Sequence, residues 1–108
     1  MTTRQASNKQ EKLVAKAVGG KKTANSGATM FMKGDILLDQ VLIECKTKMT
    51  SSKSITIKKD WILKNQVEAY QMKKPMCAVA ISFGDKENYY IISENDFVRL
   101  LEYDKNII

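Results

Sequence analysis

The stretch from Lys33 to Lys46, KGDILLDQVLIECK, decides how the rest of the chain is read. It holds two short apolar runs, DILL (35–38) and VLIECK (41–46), parted by Asp39-Gln40. That pattern predicts two extended strands joined by a turn. VLIEC is nearly continuous apolar sequence, which suits a strand buried on both faces. Side chains alternate along a strand, so Glu44 and Lys46 leave one face while Cys45 points to the other. Asp35 opens the preceding strand, nine residues before Glu44, at hairpin distance. Two carboxylates can therefore converge beside one lysine. A Glu-x-Lys on a strand is often no more than a solvent-facing charge pair. Here the strand is otherwise apolar, and charges in such a strand call for a reason.

Outward from this hairpin the chain alternates in type. ATMFM (28–32) predicts a further strand before Asp35. MCAVAISF (76–83) predicts another buried strand, GDKEN (84–88) a turn, and YYIIS (89–93) a last strand. A first helix is expected from Lys9 to Val18. Ser7 or Asn8 would cap it, Leu13, Val14, Ala17 and Val18 would form its apolar side, and Gly19-Gly20 would stop it. Residues 19–28 read as a flexible basic loop and 47–55 as a polar loop. A longer helix is expected from Ile57 to Lys73, with Ile62, Leu63, Val67, Ala69 and Tyr70 inward, ended by Lys74-Pro75. Ser93, with Asp96 three residues on, would cap a last helix whose apolar side is Phe97, Val98, Leu100 and Leu101. The expected order is α-β-β-β-α-β-β-α: one α/β domain over 1–108 with a mixed central sheet flanked by helices, its first seven residues flexible.

The chain has 108 residues, 44% of them hydrophobic, enough for one modest core. It has no histidine, which excludes Ser-His-Asp and Cys-His nucleophile systems and histidine-metal sites. Its two cysteines, Cys45 and Cys77, form no CxxC pair, so a structural zinc site within one chain is excluded. Catalysis would have to use carboxylates, lysines, hydroxyls or a hard metal. Two carboxylates with a backbone carbonyl, here that of Cys45, suit Mg²⁺ or Mn²⁺, which keep several waters and take further oxygens from a phosphate. The net charge is +6. Residues 1–33 carry seven basic groups and only Glu11, whereas 76–108 carry three basic and six acidic groups. One positive face of this kind suits a polyanion, though a solvated lysine-rich surface gives the same count. No run of apolar residues predicts a membrane span or a signal peptide, so the chain reads as intracellular, in the cytoplasm.

Asp35, Glu44 and Lys46 together resemble the signature of the PD-(D/E)xK nuclease superfamily. Within it the chain is most similar to small Holliday-junction resolvases of archaeal and phage type. The similarity extends to a glutamate on the first helix (Glu11), a Ser-Gly element before the aspartate (Ser26-Gly27), a basic loop leading into SITIKKDWILKNQVEAY, and the closing NYYIISENDFVRLLE. The resemblance implies a restriction-endonuclease-like core and a Mg²⁺-dependent endodeoxyribonuclease that resolves branched DNA in recombination and repair. It implies a homodimer, because a four-way junction has two strands to cut symmetrically. Asp35 and Glu44 would hold the metal with the Cys45 carbonyl. Lys46 would orient the attacking water.

Glu11 could contact the metal or its water, or be an ordinary exposed helix glutamate. Ser26 could bond a phosphate or shape a Gly-rich turn. Lys21, Lys22, Lys58 and Lys59 are candidate DNA-backbone contacts or solvated charges, and Arg4 and Lys9 could reach DNA from an N-terminal arm. Gln66, with Tyr70, matches a Gln-x-x-x-Tyr pattern of some superfamily exonucleases, or is a core-edge amide. Another nuclease of the same superfamily (nickase, exonuclease or restriction-type) and a non-catalytic DNA-binding module are the rival readings.

Overall fold

The computed structural model describes residues 2–22 and 35–107, without the side chains of 106 and 107. The expected strand at 28–32 and Ser26 lie outside the described residues. Helix α1 spans Thr3–Val18, strand β1 Lys21–Lys22, β2 Asp35–Leu37 and β3 Val41–Thr47. Helix α2 spans Lys59–Gln71, β4 Met76–Ser82, β5 Tyr89–Ile91 and α3 Glu94–Ile107. The five strands form one mixed sheet in the order β1-β2-β3-β4-β5. Only the β3–β4 pair is parallel, and α2 makes its crossover.

Helix α1 begins at Thr3, not at Lys9. Thr2 caps it through a reciprocal pair: its hydroxyl accepts from the Gln5 backbone N–H at 3.1 Å, and Gln5 Oε1 accepts from the Thr2 N–H at 2.8 Å. Residues 3–7, expected as a flexible lead, are the first turns of this helix. Its inward face is accordingly Ala6, Gln10, Glu11 and Val14, while Ala17 is exposed. Gly19 ends the helix in the left-handed region, at φ 71°. Next to it, a Cβ on Gly20 would lie 2.7 Å from Ile36 Cγ2, so the chain can turn tightly onto the sheet only without a side chain there. Lys21 and Lys22, expected in a loop, pair with Leu37 and Ile36 as an edge strand.

Helix α1 packs Val14 against Ile36, Ile43, Ala78 and Ala80, the centre of one layer of core. Strand alternation sends Leu42, Val79 and Ile81 to the other face, on the side of α2. Helix α2 meets that face with Ala69, as expected, and with Asn65 and Glu68, which were not expected to be inward. Leu63, Val67 and Tyr70 point to solvent, Tyr70 being 85% exposed. Helix α3 is capped as expected, the Asp96 N–H donating to Ser93 Oγ at 3.1 Å. It is tied down by Asp96, which accepts from the Cys77 N–H, and by Arg99, which donates to the Pro75 carbonyl. Its expected apolar side is not buried: Phe97, Val98, Leu100 and Leu101 are all exposed. No helix among the described residues is long and apolar enough to cross a membrane.

Candidate active site

Asp35 and Glu44 are direct register partners across the antiparallel β2–β3 pair. Directly opposed residues share a face of the sheet, and Lys46, two residues on, shares it too. The geometry expected of the hairpin is therefore present. Asp35 is 3% exposed and Glu44 is also buried. Glu44 Oε1 lies 3.7 Å from Lys46 Nζ. Lys46 Nζ in turn lies 5.2 Å from the ring centroid of Trp61, in the first turn of α2. A cation over an indole face is attracted by the ring quadrupole. The ammonium group is thus held between a carboxylate and an aromatic plate.

Glu68 joins this cluster from α2, buried, with Oε1 3.8 Å from Lys64 Nζ one turn earlier. Nothing in the hairpin signature points to it. The signal available was helical spacing: Asn65 and Glu68 lie four and one residues before Ala69, on the same side of α2. Glu68 matters electrostatically. Burial first, then the charges of Glu68 and Glu44, push the Asp35 carboxyl up to about 8, against a smaller opposing pull from Lys64. Glu68 itself is raised by burial and by Glu44, opposed by Lys64 and Lys46. At neutral pH Asp35 therefore keeps its proton until a positive charge displaces it.

Glu11 enters from the opposite layer, on α1. It is buried, not an exposed helix glutamate, and its Oε1 pairs with Lys22 Nζ at 3.2 Å. Lys22 also donates to Asn8 Oδ1 at 3.1 Å, so it is fastened to α1. Burial, with Glu11 the strongest nearby charge, drives the Cys45 thiol up to about 12, which leaves it unreactive as a nucleophile near neutral pH.

These groups line a cleft of about 490 Å³. Its acidic members are Glu11, Asp35 and Glu44, and Arg4, Lys22, Lys46 and Lys64 supply its positive charge. Among the described residues, no three carboxylate or thiol groups gather closely enough to cage a metal unaided. A magnesium ion needs no such cage, since one or two carboxylates plus water and phosphate oxygens suffice. The chemistry of the donors fits that habit. Glu44 Oε2 is buried and has no hydrogen-bond partner among the described residues, an acceptor in place for a cation.

The remaining candidates are dispersed. Lys21 is exposed on β1. Lys58 and Lys59 are exposed at the start of α2, close in sequence to Trp61 but outside the cleft lining. Gln66 is exposed near the middle of α2, on the side that lines a pocket with Cys77 and Asp96, so it is neither a core-edge amide nor part of the cleft. A second residue that sequence reasoning missed is Gln10. Its buried amide Nε2 donates to the carbonyls of Lys46 (2.8 Å) and Ala80 (3.1 Å) and to Asn88 Oδ1 (3.0 Å). It thus pins the backbone of the site lysine. A helix started at Thr3 would have put Ala6, Gln10 and Val14 on one inward line. Comparison with known proteins finds no matching family model, no matching curated protein and no matching solved structure.

Proposed function

We propose that this protein is a Mg²⁺- or Mn²⁺-dependent endonuclease of restriction-endonuclease-like fold that cuts branched DNA, a Holliday-junction resolvase of the PD-(D/E)xK kind. The observation that carries the reading is the opposition of Asp35 and Glu44 across β2–β3, with Lys46 on the same face, in a cleft that also presents Arg4, Lys22 and Lys64. Asp35 and Glu44 would hold the cation, with the Cys45 carbonyl beside them and Glu11 at the border. When bound, the cation polarises the phosphoryl oxygen and lowers the pKa of its water.

The protein's own groups do the rest. Lys46, fixed by Glu44 and Trp61, orients the attacking water and faces the negative charge that grows on phosphorus. Arg4 and Lys64 hold flanking phosphates, with Lys21, Lys58 and Lys59 as outer contacts. Burial, helped by the charges of Glu68 and Glu44, favours the protonated form of Asp35. Selection is by branched shape, because lysine contacts to backbone carry no base readout. Symmetric cutting of a junction calls for two sites related by a two-fold axis. The exposed Phe97, Val98 and Leu101 of α3, with Tyr89 and Tyr90 of β5, offer the apolar surface for that homodimer.

The test is cleavage of labelled four-way junction, duplex and single strand, with Mg²⁺ or with EDTA, by the wild type and by Glu44→Gln. Paired symmetric nicks in the junction alone, lost with EDTA and in the variant, are expected. Metal-dependent cutting of every substrate would make it a general nuclease. Binding without cutting would make it a DNA-binding module.

A further inference from the structure

Helix α1 has a cleft on each flank. The second, of about 290 Å³, shares no residue with the candidate active site. Lysines from three separate segments stand around it: Lys9 of α1, Lys48 just after β3, and Lys86 in the turn between β4 and β5. All three are exposed, and none forms an ion pair among the described residues. The floor is polar and buried. Ser82 is 2% exposed, and Gln10 is 3% exposed with an Oε1 that has no hydrogen-bond partner. The single carboxylate among the described lining residues, Asp85, is engaged by its own turn, its Oδ1 accepting from the Glu87 N–H at 3.0 Å.

Three exposed ammonium groups from distant parts of the sequence line one cleft, and the positive field they share favours an anion there. Lysine is a point-charge binder that suits phosphate without demanding one orientation. The two clefts are separated by one helix, about 10–12 Å across with its side chains. A nucleic-acid strand offers a phosphate about every 3.4 Å of duplex axis, so a few nucleotides span that width. Exposed Lys12 and Lys16 continue the positive charge along α1 itself.

We propose that the Lys9–Lys48–Lys86 cleft is a second anchoring site for nucleic-acid phosphodiester backbone. It grips the strand that passes over α1 away from the bond in the first cleft. The identity of the ligand rests on the endonuclease reading; the site itself rests on the three lysines, because the Ser82 hydroxyl and the Gln10 Nε2 of the floor are already engaged within the protein. Gln10 joins the two clefts physically, since the amide that floors the second is bonded to the Lys46 carbonyl at the first.

The experiment measures fluorescence anisotropy of a labelled immobile four-way junction in EDTA across a salt series. It compares the wild type with Lys9→Ala/Lys48→Ala/Lys86→Ala and with Lys53→Ala/Lys73→Asn/Lys105→Ala, which removes the same charge away from α1. The cleft variant is expected to bind about tenfold or more weakly near physiological salt and to lose about two to three from the slope of log affinity against log salt, with the control losing about one or less. Replacing the same three by arginine should restore the slope. Should the triple variant fold poorly by thermal melt, Lys48→Ala and Lys86→Ala singly should each lower the slope by about one.

Equal behaviour of the cleft and control variants overturns the proposal, as does a wild type that binds no nucleic acid. A wild type that binds through the three lysines yet never cuts would support the second site and sink the nuclease reading. Cutting with no change in the cleft variant would do the reverse.

Discussion

Asp35 and Glu44 face each other in register on neighbouring strands, and Asp35 is placed to keep its proton. Burial and the nearby charges of Glu68 and Glu44 hold the Asp35 carboxyl near 8, against 3.8 for the free group. The consequence for stability has a definite sign. Below about pH 4 the group is protonated both folded and unfolded. As pH rises, the unfolded chain releases the proton while the folded one retains it, so stability falls until pH passes about 8. Thermal melts from pH 5 to 9 should show the wild type losing stability relative to Asp35→Asn across that window. Added Mg²⁺ should stabilise the wild type most at the alkaline end, with proton uptake by the buffer on binding. Parallel pH profiles for the two proteins would remove Asp35 as the cause.

Trp61 is expected to act through Lys46. Its ring is worth about 1 kcal/mol to a partly exposed ammonium, so Trp61→Leu should slow single-turnover cutting about fivefold. Trp61→Phe, which keeps an aromatic face, should recover most of the rate. The pattern to look for is a fall in the rate at saturation with junction affinity unchanged. A loss in Trp61→Leu that Trp61→Phe fails to rescue would mean that the ring serves packing alone.

Gln10→Leu removes a donor shared by two backbone carbonyls and Asn88 while keeping the volume. Leaving buried acceptors without it should cost about 2–3 kcal/mol, read from urea denaturation. The same change should loosen the strand that carries Lys46, so cutting should fall further than the unfolded fraction explains.

Phe97→Asp and Leu101→Asp place charge on the open face of α3. Light scattering after gel filtration should show a dimeric wild type and monomeric variants with unchanged helical content. A monomeric wild type would leave α3 with another role.

Much of the site was legible because a strand has the simplest periodicity. With period two, a glutamate and a lysine flanking one cysteine had to share a face, and an aspartate across a tight turn had to meet them. The buried strands at 41–47 and 76–82 announced themselves by their apolar runs. The helices were harder. In α2, Leu63, Val67 and Tyr70 were expected inward with Ala69, yet beside Ala69 the chain buries Asn65 and Glu68. A small alanine admits close approach to the sheet, and the buried Glu68 stands beside Lys64 at the carboxylate cluster. Hydrophobicity alone does not register that choice. In α1 the Thr2-x-x-Gln5 capping pair was present in the sequence, and reading it would have lengthened the helix and brought Gln10 into view.

The Gln10 amide also bears on when the fold can close. Its three partners lie 36, 70 and 78 residues further along the chain. During synthesis the first helix leaves the ribosome early, but the groups that lock it are made much later. Contacts of such long sequence separation slow folding, because a large loop must be ordered before they form. Until Ala80 and Asn88 have emerged, the Gln10 amide lacks two of its three partners, and nascent chains stopped before that point should leave α1 more open to protease.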